Sequence, residues 1–427
     1  MPPRTDSASP PRGPRRLPDA LLTDRRLLRR NPAFRRLFLA RVVSNVGDMV
    51  ALTALLLYVE ATVGEGVAVS ALLLAQAIPN GLLGPIVGTV ADRVDHRTLM
   101  IISDAGRIVI FVIMAATLPP LAVLLVLFVL AGVLEALFRP AGRSAIPVLV
   151  EPHELMTANS WFGVGMTTGA AIGPLIGGVL VAQVGVGGAL YVNAGTFLLS
   201  IAFLMRVPSL PPEETEGEER LGFLATTREG LAFARRDVLM RAVILGLVLG
   251  VAAGGLDNVA LVFMATDVFD AEAIGYGVLS GAFGIGMIAA TMYLVRYNRP
   301  GTAAALFIIG WFGTALGNFG VGVAPVIGLA VAAQLIGGWA NGISVVASDT
   351  LLQENVPRSM MGRAFGVAGS APYIGMLIAY GSGGFLVDGV GPRGTFIVSG
   401  VATLLIAFAV WAMLNKATSG RQSASQS

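Results

Sequence analysis

Four acidic residues stand inside stretches that are otherwise apolar. Asp48 lies between SNVG and MVALTALLLYV, Glu135 between AGVL and ALF, Asp257 between AAGGL and NVALVF, and Asp104 three residues before Arg107 in IISDAGRIVIF. A charged side chain in hydrocarbon costs ~2.5–3.5 kcal/mol on insertion scales, so each is a functional candidate. Loss of water favours the neutral form of a carboxyl group, which can then exchange protons near neutral pH. Asp48, Glu135 and Asp257 are therefore the candidate proton carriers. Plainer readings stand beside this one: a helix–helix hydrogen bond for Asp48, and an ion pair with Arg139, one turn on, for Glu135. Asp257 has no basic residue within a turn.

Polar and aromatic side chains near these acids could line a cavity for a small-molecule substrate. Asn45 shares a helical face with Ser44 and Asp48, Asn258 follows Asp257, and Gln334 and Asn341 are seven apart on one face. Phe263, Trp339 and Tyr58 could stack on an amphipathic ligand. Other chemistries lack their residues. There is no cysteine, the two histidines (His96 and His153) lie far apart, and neither H-E-x-x-H nor G-x-S-x-G occurs. Lys416 is the only lysine and no G-x-x-x-x-G-K-[ST] is present, so ATP hydrolysis is not expected. The chain is expected to be no enzyme, to bind no metal or cofactor, and to draw on a proton gradient.

The elements that must hold these residues follow from hydropathy. The 427 residues are 55% hydrophobic and 13% charged, too little charge to cover a soluble surface of this size. Crossing a bilayer takes ~20 apolar residues. Such stretches fall at roughly 37–60, 67–91, 98–119, 121–142, 158–183, 187–206, 239–264, 274–295, 302–322, 325–348, 361–387 and 394–415. The fold class is all-α and polytopic, twelve helices in two bundles of six. Arginines gather in alternate loops, and on the other side only Arg393 is found, so both termini are expected in the cytoplasm. They lie at membrane edges rather than in a nucleic-acid patch; the lipid bilayer is the expected partner, and nucleic acid is not.

The expected organisation is a disordered basic tail over 1–31, a first bundle over 32–206, and a cytoplasmic linker with an amphipathic segment over 207–238. A second bundle over 239–415 and a disordered tail over 416–427 complete it. A faint repeat relates the halves: GGVLVA at 177–182 and GGFLVD at 383–388 are 206 positions apart.

Gly88-Thr-Val-Ala-Asp92-Arg93-Val-Asp-His-Arg97, between the second and third spans, resembles the loop signature of the major facilitator superfamily. It departs from the pattern at Asp95 and His96, where a glycine and a basic residue are usual. The resemblance implies a latch on the cytoplasmic side, with Asp92 paired to Arg139 or Arg143 and with Gly88, Arg93 and Arg97 beside it. It also implies a cavity lined by spans one, four, seven and ten. Span three is peripheral in that fold, so Asp104 and Arg107 are read as a structural pair.

Gly165, Gly169, Gly173 and Gly177 recur every four residues in span five, a ridge along which another helix can approach closely; Pro174 adds a kink. The stretch from Gly169 to Gly178 also resembles the span-five signature of antiporters in this superfamily. FRRLFLARVVSNVGDMVALTALLLYV, FRPAGRSAIPVLVEPHELMTAN and TREGLAFARRDVLMRA are similar to the branch containing enterobactin exporters and macrolide efflux proteins. The implied function is export of a small amphipathic drug-, antibiotic- or siderophore-like molecule by proton antiport, from a monomer in a bacterial inner membrane. Proton-coupled uptake of a small metabolite, and a non-transporting sensor or assembly subunit, are the alternatives.

Overall fold

A computed structural model describes residues 25–82, 94–211, 232, 237–297, 301–357 and 360–425. Its secondary structure, among the described residues, is helical and without strands. The first half contains α1 (Arg25–Arg30), α2 (Pro32–Val63), α3 (Gly66–Leu82), α4 (His96–Thr117), α5 (Leu121–Leu149) and α6 (Leu155–Leu204). The second contains α7 (Val238–Gly254), α8 (Asp257–Phe263), α9 (Glu272–Tyr297), α10 (Ala303–Val323), α11 (Ile327–Asn355) and α12 (Met361–Ser425).

Nine helical stretches among the described residues are long and apolar enough to cross a membrane. Two of them, α6 and α12, are each broken into two span-length arms at a glycine with positive φ, Gly185 (72°) and Gly391 (75°). Only glycine adopts that backbone at little cost. The two breaks are 206 positions apart, the offset of the repeat. With the shorter apolar helix α3, these elements accommodate the twelve expected passes.

Local chemistry sets the ends. Asn31 caps α2 by accepting from Phe34 N at 2.9 Å, Pro32 opens the helix, and Gly64 (φ 72°) closes it. Asp95 caps α4 and Asp237 caps α7. Two tails differ from expectation. Residues 25–30 form α1, because Leu27 finds an apolar seat with Phe34, Ile146, Val150 and Ala158. At the other end α12 continues to Ser425, with no proline after Asn415 to stop it. The amphipathic linker segment, apart from the helical Ala232 and the residues from Asp237 onward, lies outside the described residues.

The core is unevenly divided. At the end away from the termini, the far end, one apolar cluster joins both halves: Leu55, Leu72, Phe111 and Phe128 of the first with Val259, Phe263, Leu279 and Phe396 of the second. At the end where the termini and most arginines lie, the basic end, the described clusters belong to one half each. Most contact between halves runs along two seams, α3 against α12 and α6 against α9.

Candidate functional site

The span-three arginine is the hub of the first bundle. Arg107 of α4 is 1% exposed. Its Nη1 donates to Asp48 Oδ2 of α2 at 3.1 Å, and its Nη2 donates to Ser44 Oγ at 3.2 Å and to Asp104 Oδ1 one turn back. The guanidinium also lies over Phe197, 4.2 Å from the ring centroid. Asp104 and Arg107, expected to be a peripheral structural pair, are thus part of the Asp48 site: the side chain of Arg107 is long enough to serve a carboxylate on each of two helices. Asp104 is fully buried, whereas the Asp48 side chain keeps 13% of its surface and borders a small cleft. Arg107 itself, Gln76, Phe111, Phe128, Ala131, Gly132 and Glu135 line the rest of that cleft.

Glu135 stands one turn from Arg139 on α5, yet no direct ion pair joins them among the described residues. Arg139 Nη1 donates instead to Asn80 Oδ1 of α3 at 3.3 Å and to the Tyr373 hydroxyl of α12 at 3.4 Å, so it touches the second bundle. Arg41 of α2, not among the expected site residues, is 7% exposed, lies 5.4 Å from the Phe138 ring, and leaves Nη1 without an acceptor. Its signal was available: a cation inside the first expected span is as costly as an acid there. Arg41, Arg107 and Arg139 together balance Asp48, Asp104 and Glu135 in charge.

The second bundle carries a different device. Helix α7 stops at Gly254 and α8 starts at Asp257, so span seven is interrupted. The carbonyls freed there are met by side chains from neighbouring helices. Asn318 Nδ2 of α10 donates to Gly254 O at 3.3 Å, and Ser399 Oγ of α12 to Ala253 O at 2.8 Å. Interrupted helices in membranes survive only where such partners exist. Asp257 sits in the first turn of α8, where the positive end of the helix dipole favours a carboxylate. Asn258 Nδ2 donates to Asp257 Oδ1 at 2.9 Å, and Tyr276 and Tyr380 lie within electrostatic reach.

The remaining expected residues separate. Asn45 faces α6 rather than a cavity and donates to Met166 O at 3.2 Å. Phe263 is enclosed in the shared far-end core, and half-buried Tyr58 donates its hydroxyl to the Leu118 carbonyl at 2.6 Å. Gln334 is buried in α11, and Asn341, half-buried, accepts the Ser344 hydroxyl at its carbonyl. Trp339 is exposed and packs against Tyr293 of α9, the ring centroids 6.0 Å apart and the planes tilted by 59°. The glycine ridge receives α2: added side chains at Gly165, Gly169, Gly173 and Gly177 would overlap Val42, Asn45, Met49 and Thr53 in turn. The ridge therefore packs two helices of one bundle, with Pro174 turned to α9, its carbonyl 2.7 Å from where a Gly277 side chain would begin.

Of the expected latch, Gly88, Asp92 and Arg93 lie outside the described residues. Arg97 donates to Met205 O at 3.2 Å, and Arg143 is exposed. The departure at Asp95 has a structural reason. Asp95 accepts from Thr98 N at 2.8 Å, Ser209 Oγ at 2.7 Å and Leu210 N at 2.5 Å, and His96 N donates to Leu210 O at 2.9 Å. The pair ties the start of α4 to the segment after α6. Partial burial would raise the Asp95 pKa, but these donors outweigh it and hold the carboxyl below its ordinary range.

Comparison with known proteins places this architecture. The enterobactin exporter EntS of Citrobacter koseri is 28% identical over 418 residues, covering 93% of this chain and 95% of its own. An MFS-type transporter of Bacillus subtilis (strain 168), YfiS, is 26% identical over 404 residues, covering 89% and 93%. Among solved structures, a variant of the nucleoside transporter NupG superposes with a TM-score of 0.74 at 14% identity, over 89% of this chain and 99% of that one. A bacterial homologue of the human lysosomal transporter Spinster, inward-facing and unoccupied, gives 0.65 at 16%, over 90% and 97%. The Major Facilitator Superfamily model matches residues 37–300 and 258–427, and the chain, a multi-pass membrane transporter and not an enzyme, belongs to that family.

Proposed function

We propose that this transporter exports a small amphipathic molecule by alternating access, in exchange for protons entering the cell. The observation that carries the reading is the sharing of Arg107 by Asp48 and Asp104. Removing one partner of a buried ion pair strands the other charge, at ~3–5 kcal/mol. Here a proton arriving through the cleft reaches Asp48, the one of Arg107's two carboxylates that borders it, and Arg107 keeps Asp104 as counter-ion. Asp48 can therefore be protonated and deprotonated without leaving a bare guanidinium. Glu135, on the same cleft, is the group a protonated Asp48 would exchange with, and Asp257 is a separate proton site in the second bundle. Relatives named as enterobactin exporters support the direction.

In this reading the basic end faces the cytoplasm of a bacterial cell, both termini and the linker lie inside, and the protein works as a monomer with no cofactor beyond the proton gradient. The Asp92 latch with Arg139 or Arg143 would close the basic end when the far end opens.

Inverted vesicles with an imposed proton gradient test the proposal. Amphipathic drugs and siderophores are added while internal pH is followed. Dissipation by a compound, lost in Asp48→Asn, is the expected result; a gradient unaffected by every compound would sink the export reading for that set.

A further inference from the structure

The shared far-end core includes a polar fastening between the halves. Asp388, near the end of the first arm of α12, accepts from Gly66 N at 2.6 Å through Oδ1 and from Val67 N at 3.2 Å through Oδ2. Gly66 opens α3, so these are two of the N–H groups that a helix start leaves without partners. We propose that Asp388 is a far-end latch, tying the second bundle to the start of α3 and setting how readily the two bundles part there.

The approach depends on two glycines. A side chain at Gly66 would begin 2.7 Å from Gly384 O, and one at Gly384 would begin 2.6 Å from Val67 Cα. Backbone therefore meets backbone, and the carboxylate lands on the helix end with its positive dipole. The second seam has the same build without the fastening. There Gly178 of α6 meets Ala273 and Gly277 at the start of α9. The repeat that equates Gly178 with Gly384 equates Asp388 with Ala182. Only one of the two related seams bears a charge at this position.

The strength of the bond suits a contact that must be remade in every cycle. Asp388 is exposed, so on separation both the carboxylate and the N–H groups return to water, and the net gain from the contact is modest. A charged group at an exposed helix start contributes enough to move a two-state equilibrium roughly two- to fivefold, not enough to lock it. The latch rests on the alternating-access reading, since it needs bundles that part.

The chain has no cysteine, so paired labels can be placed without background. Spin labels at Val63→Cys, at the end of α2, and Val326→Cys, before α11, both exposed, would report the far-end distance in full-length protein in lipid nanodiscs. Asp388→Asn should raise the long-distance population roughly two- to fivefold. Val67→Pro removes one donor and keeps the carboxylate; it should act in the same direction by less, and add little to Asp388→Asn. Two populations in the parent protein that Asp388→Asn leaves unchanged would overturn the latch alone. A single short distance in the parent and in all variants, at neutral and mildly acidic pH alike, would overturn alternating access and the latch with it.

Discussion

Arg107 Nη1 stands 3.1 Å from Asp48 Oδ2, joining α4 to α2 in the interior of the first bundle, while the same guanidinium holds Asp104 on its own helix. Two carboxylates thus depend on one cation. Arg107→Leu should destabilise the protein by about 3–5 kcal/mol, because both acids lose their counter-ion. Asp48→Asn keeps the Arg107–Asp104 pair and should fold normally. Thermal unfolding of the purified variants in detergent separates the two; equal melting of Arg107→Leu and the parent would show that the cluster does not hold the bundle.

Asp257 needs no partner removed. Its hydrogen-bond partner among the described residues is the neighbouring Asn258, so Asp257→Asn should leave the melting temperature unchanged. If Asp257 carries a proton, the variant should lose the pH dependence of transport in vesicles. An unchanged rate with an unchanged pH profile would remove it from the mechanism.

Two glycine substitutions should fail differently. Gly173→Val drives a branched side chain into Met49 of α2, within one bundle, and should cost about 1–3 kcal/mol in a melt. Gly277→Val meets the Pro174 carbonyl across the seam between bundles, where backbone cannot yield. It should spare the melt and instead expose far-end cysteines, introduced singly, to impermeant maleimide. Faster labelling in Gly173→Val than in Gly277→Val would contradict this division.

Asp95 predicts an acid-linked loss. Its carboxyl is held below the ordinary range by Ser209, Thr98 and Leu210, so its contribution is complete above its unfolded value and disappears as pH falls through the folded one. Asp95→Ala should cost about 1–2 kcal/mol at neutral pH, as loss of a helix cap does, and the difference from the parent should vanish below the usual carboxylate range. Melting curves across that interval check it; a difference that persists in acid would assign the stabilisation elsewhere.

Much of this was legible in the chain. A carboxylate in an apolar run is conspicuous whatever it touches, so Asp48, Glu135 and Asp257 could be named at once. Their partners could not. Asp48 and Arg107 are 59 residues apart, and nothing in either segment says which face of α4 turns to α2. The four-residue glycine spacing announced a close helix approach but not that α2 occupies it. Phe263 and Asn45 have cavity-like chemistry and core positions, because the rotation of a helix about its axis is decided by packing. Asp388 drew no attention: at a span end an acid is ordinary, and only the fold brings Gly66 beneath it.

The uneven core has a thermal consequence. Closure at the far end buries apolar surface from both halves, and opening there must wet it. Exposure of apolar surface carries a positive heat capacity, and its free-energy cost shrinks on cooling. The balance between the two access states is therefore itself a thermometer: chilling should favour the state with the far end parted, and a plot of that equilibrium against reciprocal temperature should be curved rather than straight.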